Sequence, residues 1–255
     1  MRALDEPQPA TAPSLPPHPP LNRYYRSESE RRARVGAWFD EAAVDYDWIN
    51  RAMSLGSGDY YRRQALLRVG LAPGMCLLDA GAGTGAVAAA AQAIVGSGGR
   101  VVALDPSLGM LGRAAVRGVR RRVRGVAEAL PFPAGRFDRL SMGFALRHVA
   151  DLRSTFAEYR RVLAPGGALL LLEITPPASA FGHRLLGLYL GRLVPLVARL
   201  GQSRHSASEL MEYYWDTIEQ CVPPEVILAA LADAGFARCE RGVEMGVFSE
   251  YRAWR

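Results

Sequence analysis

The sequence predicts an α/β fold: a doubly wound, mostly parallel seven-stranded sheet with an N-terminal helical cap and a helical insert before the last strands. Three observations predict it. The apolar run Leu77-Leu78-Asp79-Ala80 enters glycines at alternate positions, Gly81, Gly83 and Gly85, as a strand does when it turns tightly into a helix. A second apolar run, Arg100 to Asp105, also ends in an acid. Strand-like and helix-like segments then alternate at βαβ spacing, which places the strands in one parallel sheet with its ligand at their carboxyl ends.

At 255 residues and 49% hydrophobic content, the chain is long enough for one large domain with a full core. Residues 1–22 hold seven prolines and few large apolar side chains, so a mobile, partly polyproline II tail is expected there, ahead of a single domain over 23–255. Residues 23–70 are helical in pattern and rich in aromatics (Trp38, Phe39, Tyr46, Trp48, Tyr60, Tyr61), which predicts a cap over the glycine loop. Strands are expected over 75–80, 100–105, 123–126, 137–142 and 168–173, with helices from 85, from 107 and over 155–163. Pro165-Gly166-Gly167 marks a sharp turn before the fifth strand.

Residues 176–222 break this rhythm. The stretch 185–200 is apolar but interrupted by Arg192, Pro195 and Arg199, too short and too charged to span a bilayer. A lid over an apolar substrate, an interfacial surface and ordinary helix packing all remain open for it. A helix over 224–234 and strand-like runs at 237–241 and 245–254 complete the count, the last two as an antiparallel edge.

The formal charge of +6 comes entirely from arginine, since the chain has no lysine, and reads as compositional bias rather than as a nucleic-acid footprint. The one dense run, Arg120 to Arg124, reads as a solvated sheet edge. Cys76, Cys221 and Cys239 lie far apart with no metal-ligand spacing, so neither a disulfide framework nor a metal site is expected. The N-terminus has no apolar signal region, and a cytoplasmic location is expected, with room for peripheral contact with the inner membrane through the insert.

The acid beside the glycine loop narrows the ligand. A dinucleotide fingerprint is spaced G-x-G-x-x-G and receives a pyrophosphate, whereas here the spacing is G-x-G-x-G and Asp79 would repel phosphates. A carboxylate at that point suits a cationic amino or sulfonium group, which points to S-adenosylmethionine. Asp105, at the tip of the next strand, is placed to grip the ribose hydroxyls; capping of the helix from Ser107 is the alternative.

Several ordered motifs then resemble one family. "FDEAAVDYDWINRAMSLG" (39–56), "LLDAGAGTG" (77–85), "VVALDPSLGML" (101–111), "AEALPFPAGRFD" (127–138), "FALRHV" (144–149) and "RVLAPGGALLLLE" (161–173) resemble, in order and spacing, the ubiquinone/menaquinone biosynthesis C-methyltransferases, class I S-adenosylmethionine-dependent methyltransferases with a Rossmann-like sheet. The likeness covers roughly residues 35–255. It implies that Gly81 and Gly83 face the methionine part of the cofactor, Asp105 holds the ribose, Ala127 and Glu128 lie beside the adenine, and Met110 packs on the adenine face. It also implies that Tyr46 closes over the methionyl end and that Gly143 lines the space near the methyl group.

The chain departs from the family pattern at Val126, where an Asp or Asn is usual, at Ala86 in place of an acid, over Gly58-Asp59-Tyr60-Tyr61, and at Ala145 and His148. The last two sets fall where the acceptor binds, so Tyr61 and Phe144 are candidate substrate contacts. Ring C-methylation needs positioning and an electron-rich acceptor, and is helped by a base titrating near neutrality. His148 is the candidate base, and Arg147 the candidate for steadying a developing phenolate. Packing at a strand-to-helix turn is the alternative for His148. Tyr213, Tyr214 and Trp215, within "MEYYWDTIEQCVP", resemble the segment shaping the family's acceptor pocket, or else pack the insert.

The leading expectation is an S-adenosylmethionine-dependent C-methyltransferase acting on a lipophilic aromatic or isoprenoid acceptor, with no nucleic-acid partner and with homodimerisation left open. Two alternatives accompany it: methylation of a prenyl diphosphate or other secondary metabolite, and a non-catalytic, cofactor-binding assembly protein.

Overall fold

The computed structural model describes residues 13–255 apart from residue 55. Two helices come first, α1 (Glu28–Met53) and α2 (Gly58–Arg68), followed by the alternating body: β1 (Cys76–Ala80), α3 (Ala86–Val95), β2 (Arg100–Asp105), α4 (Leu108–Val116), β3 (Arg121–Arg124), β4 (Phe137–Gly143), α5 (Leu152–Val162) and β5 (Leu163–Ile174). The insert holds α6 (Ala180–Leu188), a π-turn (Tyr189–Leu193), α7 (Val194–Ala198) and α8 (Arg204–Glu219). The chain ends with α9 (Pro224–Asp233), β6 (Arg238–Glu244) and β7 (Phe248–Trp254).

The seven strands form one sheet in the order β3-β2-β1-β4-β5-β7-β6. The first five are parallel, and β7 and β6 run antiparallel at one edge. Crossovers leave β1 in opposite directions toward β2 and β4, and the carboxyl ends of strands at such a reversal frame a crevice. Central strands are apolar on both faces because helices cover both, as Leu169, Leu170, Leu171 and Leu172 in β5 illustrate: all four are fully buried, in alternation on two sides.

β5 begins at Leu163 rather than 168, because Leu163 pairs with Phe137 before the Pro-Gly-Gly turn shifts the register to Arg139 opposite Ala168. α5 starts earlier than expected, since the Asp151 carboxylate accepts from the backbone N–H groups of Arg153 and Ser154 and caps it. Arg121 and Arg122 lie exposed on the edge strand β3, in keeping with a solvated edge.

Cap and insert share one core. Trp38, Ala42 and Ile49 of α1 pack with Leu190, Val194, Leu210, Met211 and Tyr213 of the insert. Buried Asp45 fastens the two: its carboxylate accepts from the backbone N–H of Gln202 and Ser203, the Ser203 hydroxyl and the Trp48 indole. Burial alone would push this acid up, but those four donors hold it at about 2.

The proline-rich tail, expected to be mobile over 1–22, is a packed strap over 13–22, while residues 1–12 lie outside the described residues. The Leu15 N–H donates to Asp151 Oδ1 at 2.6 Å, the Leu15 carbonyl accepts from Leu152 N–H at 2.9 Å, and the Pro17 carbonyl accepts from Val222 N–H at 2.8 Å. His18 and Leu21 of the strap are themselves buried. Extended proline-rich chain keeps its carbonyls free for such bonds, and three short anchors suffice to order it.

Candidate active site

A cavity of about 620 Å³ opens at the carboxyl ends of β1, β2 and β4, roofed by α1. The β1–α3 turn forms its floor. Gly81 and Gly83 have φ of +63° and +55°, a region side chains disfavour. A Cβ on Gly81 would stand 2.8 Å from the Ala145 Cβ, whereas one on Gly83 would meet nothing within 4 Å, so Gly83 leaves its space to a ligand.

Asp79 is fully buried at the cavity edge. Its Oδ1 accepts from the Ser141 hydroxyl at 2.8 Å, while Oδ2 makes no hydrogen bond. Burial, with a smaller push from Asp105, outweighs the Ser141 bond, the Ala88 backbone N–H and the charge of Arg62, and raises this acid to about 7. Asp105 accepts from Gly83 N–H at 2.7 Å through Oδ2 and from Ser107 N–H at 2.9 Å through Oδ1, and burial raises it to about 6. The helix cap itself is Ser107, whose hydroxyl accepts from Met110 N–H. Asp105 therefore braces the glycine loop and lines the cavity.

The cap reaches down onto this floor. Asp40 accepts from the Ser107 hydroxyl and from Gly109 N–H, and Asp47 accepts from the Thr84 hydroxyl and the Arg117 guanidinium. Four carboxyl groups thus surround the loop, a setting that attracts a cationic ligand and repels phosphates. The unpartnered Asp79 Oδ2 and the open space at Gly83 fit the ammonium and sulfonium end of S-adenosylmethionine. Met110, Ala127, Glu128 and Val126 line the far wall, where the adenine would lie. The Glu128 carboxylate is engaged in shaping that wall, accepting from Ala150 N–H at 2.6 Å.

The acceptor half of the cavity is lined by Gly143, Phe144, His148, Tyr46, Phe39, Tyr214, Asn50 and Arg62. Phe144 has a φ of +61°, a strained conformation for an aromatic residue, and its N–H donates to the Leu172 carbonyl at 2.7 Å. His148 stands edge-on to Phe39 at 5.2 Å and stacks on Tyr213 at 5.6 Å. Both its ring nitrogens are shielded from water and without a hydrogen-bond partner. Burial, then the charges of Arg147, His18 and Arg31, hold it well below the ordinary histidine range, so the imidazole is neutral.

Four expected site residues do not reach the cavity. Arg147 is fully buried behind the wall: its Nε bonds Glu173 at 2.8 Å, and its remaining nitrogens donate to Thr217 Oγ1 and to the carbonyls of Tyr214 and Phe144. With all three nitrogens engaged and the side chain fully buried, it presents none of them to a phenolate. Tyr61 packs on Phe248 at 5.0 Å. Tyr213 backs His148 and packs with Tyr24 and Trp38. Trp215 lies under α6 and the π-turn, where a Cβ on Gly187 or Gly191 would stand 3.0 or 2.9 Å from its ring. Conversely, Arg62, Asn50 and Thr84 line the cavity unforeseen. In a chain whose basic residues are all arginine, a lone Arg62 carries no distinguishing signal.

Comparison with known proteins agrees with this geometry. The model of the ubiE/COQ5 methyltransferase family matches residues 27–255. A ubiquinone/menaquinone biosynthesis C-methyltransferase UbiE of Shewanella sediminis is 33% identical over 85% of this chain and 88% of its own length. The UbiE of Shewanella sp. strain ANA-3 is 31% identical over 91% of this chain and 95% of its own. Among solved structures, an S-adenosylmethionine-dependent methyltransferase of Thermotoga maritima superposes with a TM-score of 0.61 at 19% identity, over 86% of this chain and 99% of its own, a likeness of fold. Sheet order, the acid-ringed glycine loop and this match over nearly the whole chain converge: the chain belongs to the ubiE/COQ5 methyltransferase family and is an S-adenosylmethionine-dependent methyltransferase.

Proposed function

We propose that this enzyme methylates a ring carbon of a lipophilic, hydroxylated aromatic acceptor of the quinol type. The carrying observation is His148: a neutral imidazole on an aromatic cavity wall, with both nitrogens unpartnered. A buried polar group without a partner is costly, and a ring hydroxyl would satisfy it. The relatives named above are quinone-biosynthesis C-methyltransferases, which supports the same acceptor class.

S-adenosylmethionine, when bound, supplies an electrophilic methyl carbon on a sulfonium. Gly81, Gly83, Asp79 and Asp105 would hold it, with Met110, Ala127 and Glu128 beside its adenine. Phe39, Phe144 and Tyr214 clamp a flat ring from the other side and exclude water. His148 accepts the ring hydroxyl's hydrogen. Prior transfer of that proton to so weakly basic an imidazole is uphill, so it would move to His148 as the ring carbon takes up the methyl group; the ring carbon's own hydrogen then leaves as a proton and the oxygen regains one from His148, which restores the aromatic ring. Arg62, which lines the cavity with an ion pair to Asp59 at 3.4 Å and its guanidinium over the Phe144 ring, takes the part first expected of Arg147 toward acceptor oxygen.

The prenyl diphosphate alternative needs several uncommitted cations. Arg31 is paired with Glu28 and Arg117 with Asp47, which disfavours it. Methyl-labelled cofactor incubated with a demethylated quinol and, separately, a prenyl diphosphate tests the choice. Label is expected on the quinol, and label on the diphosphate alone would overturn this reading. His148→Ala is expected to lower kcat with cofactor affinity kept, and an unchanged rate would remove His148 from the chemistry.

A further inference from the structure

Single exposed leucines are ordinary, but six large apolar side chains along one helical run are not. Phe181, Leu185, Leu188, Leu193, Leu196 and Leu200 are each between 48% and 80% exposed. They lie on or just past the continuous helical stretch of α6, the π-turn and α7, which at about 1.5 Å per residue is roughly 28 Å long. Five of the six, with Arg192, recur every three or four residues and so share one face, while Leu190, Val194 and Ala198 turn inward to the core shared with α1 and α8. Among the described residues no helix is long and apolar enough to cross a membrane.

Charge decides what covers this face. Residues 174–200 contain no Asp or Glu, and Arg184, Arg192 and Arg199 stand exposed among the leucines. Arg199 reaches Glu212 only at 3.9 Å. A second copy docked through the same patch would set arginine against arginine. An anionic surface meets all three favourably, and the chain's net charge of +6 adds to the attraction.

We infer that the α6–α7 face is a docking surface for an anionic lipid bilayer, with the leucines and Phe181 seated at the acyl boundary and the arginines at the headgroups. The surface is one layer from the catalytic cavity: Trp215 supports this helix at Gly187 and Gly191, and the preceding residue, Tyr214, lines the cavity. An acceptor dissolved in the membrane would thus be met where it resides.

Sedimentation of the full chain with vesicles tests the inference without any turnover, so its failure is separable from failure of the proposed reaction. Co-sedimentation with phosphatidylcholine vesicles containing phosphatidylglycerol is expected, with much weaker binding to phosphatidylcholine alone and loss in high salt. The variant Leu185→Ser/Leu188→Ser/Leu196→Ser should bind at least about tenfold more weakly, and Arg184→Gln/Arg192→Gln about 30-fold more weakly, both with cofactor affinity and thermal midpoint kept. The second variant keeps the test decisive should the first misfold. Absence of wild-type binding to the anionic vesicles, or equal binding by folded variants, overturns the inference. So does a dimer in sedimentation velocity that the leucine variant dissociates while vesicle binding is unaffected.

Discussion

Binding of S-adenosylmethionine should strengthen steeply as pH rises from 5.5 to 7, and the structure sets the size of the effect. Asp79 has an apparent pKa of about 7, set mainly by burial, with Asp105 adding to it, against hydrogen bonding from Ser141 and the Ala88 backbone and the charge of Arg62. The ligand's cationic end requires the ionised form. With that value, roughly 3% of the carboxyl is ionised at pH 5.5 and about half at pH 7, which corresponds to about 15-fold in affinity. Asp105, raised to about 6, steepens the lower part of the curve. Because a buried acid with a raised pKa binds more protons folded than unfolded, the ligand-free protein loses stability as pH climbs from about 4 through 7, by on the order of 4 kcal/mol for Asp79. The cationic ligand offsets that loss. Titration calorimetry in two buffers of different ionisation heat reads the coupling, and close to one proton should be released per ligand near pH 6. Asp79→Asn should weaken binding at pH 7 and remove most of the slope. Affinity independent of pH across this window, with no proton release, would refute the assignment of the cationic end to Asp79.

Breaking the buried Arg147–Glu173 pair from one side, by Glu173→Ala, should cost about 3–5 kcal/mol, or roughly 6–20 °C in thermal midpoint, while the double variant Arg147→Met/Glu173→Leu should lose far less. Equal losses for the single and double variants would show that the pair is not a scaffold unit. The pH dependence of kcat should show no limb near 6.5, since His148 is already neutral there, and such a limb that vanishes in His148→Ala would contradict its depressed basicity. Gly81→Ala, which places a methyl 2.8 Å from Ala145 at a φ of +63°, should weaken cofactor binding by at least about tenfold in a folded protein, checked by calorimetry beside circular dichroism. Removing residues 1–19 takes away three hydrogen bonds worth about 1 kcal/mol each before restored strap freedom is counted, so the midpoint should fall by a few degrees, and no change would mean the strap is not docked in solution.

What was legible in the sequence was local. Asp79, Gly81 and Gly83 declare themselves because a strand, an acid and alternate glycines are consecutive, and Asp105 because it ends the next apolar run. The mostly parallel, doubly wound character of the sheet follows from the same alternation. Tertiary partnering was not legible. Arg147 and His148 are adjacent in sequence, yet one points into a carboxylate behind the wall and the other stays on the cavity, a division fixed by Glu173 at the end of β5 and Thr217 on α8. Tyr213, Tyr214 and Trp215 part in the same way, because successive helical positions face about 100° apart and only Tyr214 faces the cavity. The strap was missed because its anchors are backbone atoms, which composition does not report.

Desolvation acts on every titratable group at these strand tips, but its consequence divides them in two. Arg147 and Glu173 are as deeply buried as Asp79, yet each is matched by a charge and further donors or acceptors, so Arg147 remains ionised and serves the frame. Asp79 and His148 lack such matching, and burial drives both toward their neutral forms from opposite directions. Their orphaned atoms, Asp79 Oδ2 and both His148 ring nitrogens, belong to residues that line one cavity. A cation at the first and a hydroxyl donating to the acceptor nitrogen of the second would satisfy Asp79 and one of the two His148 nitrogens, and those are the ends that a sulfonium donor and a phenolic acceptor present.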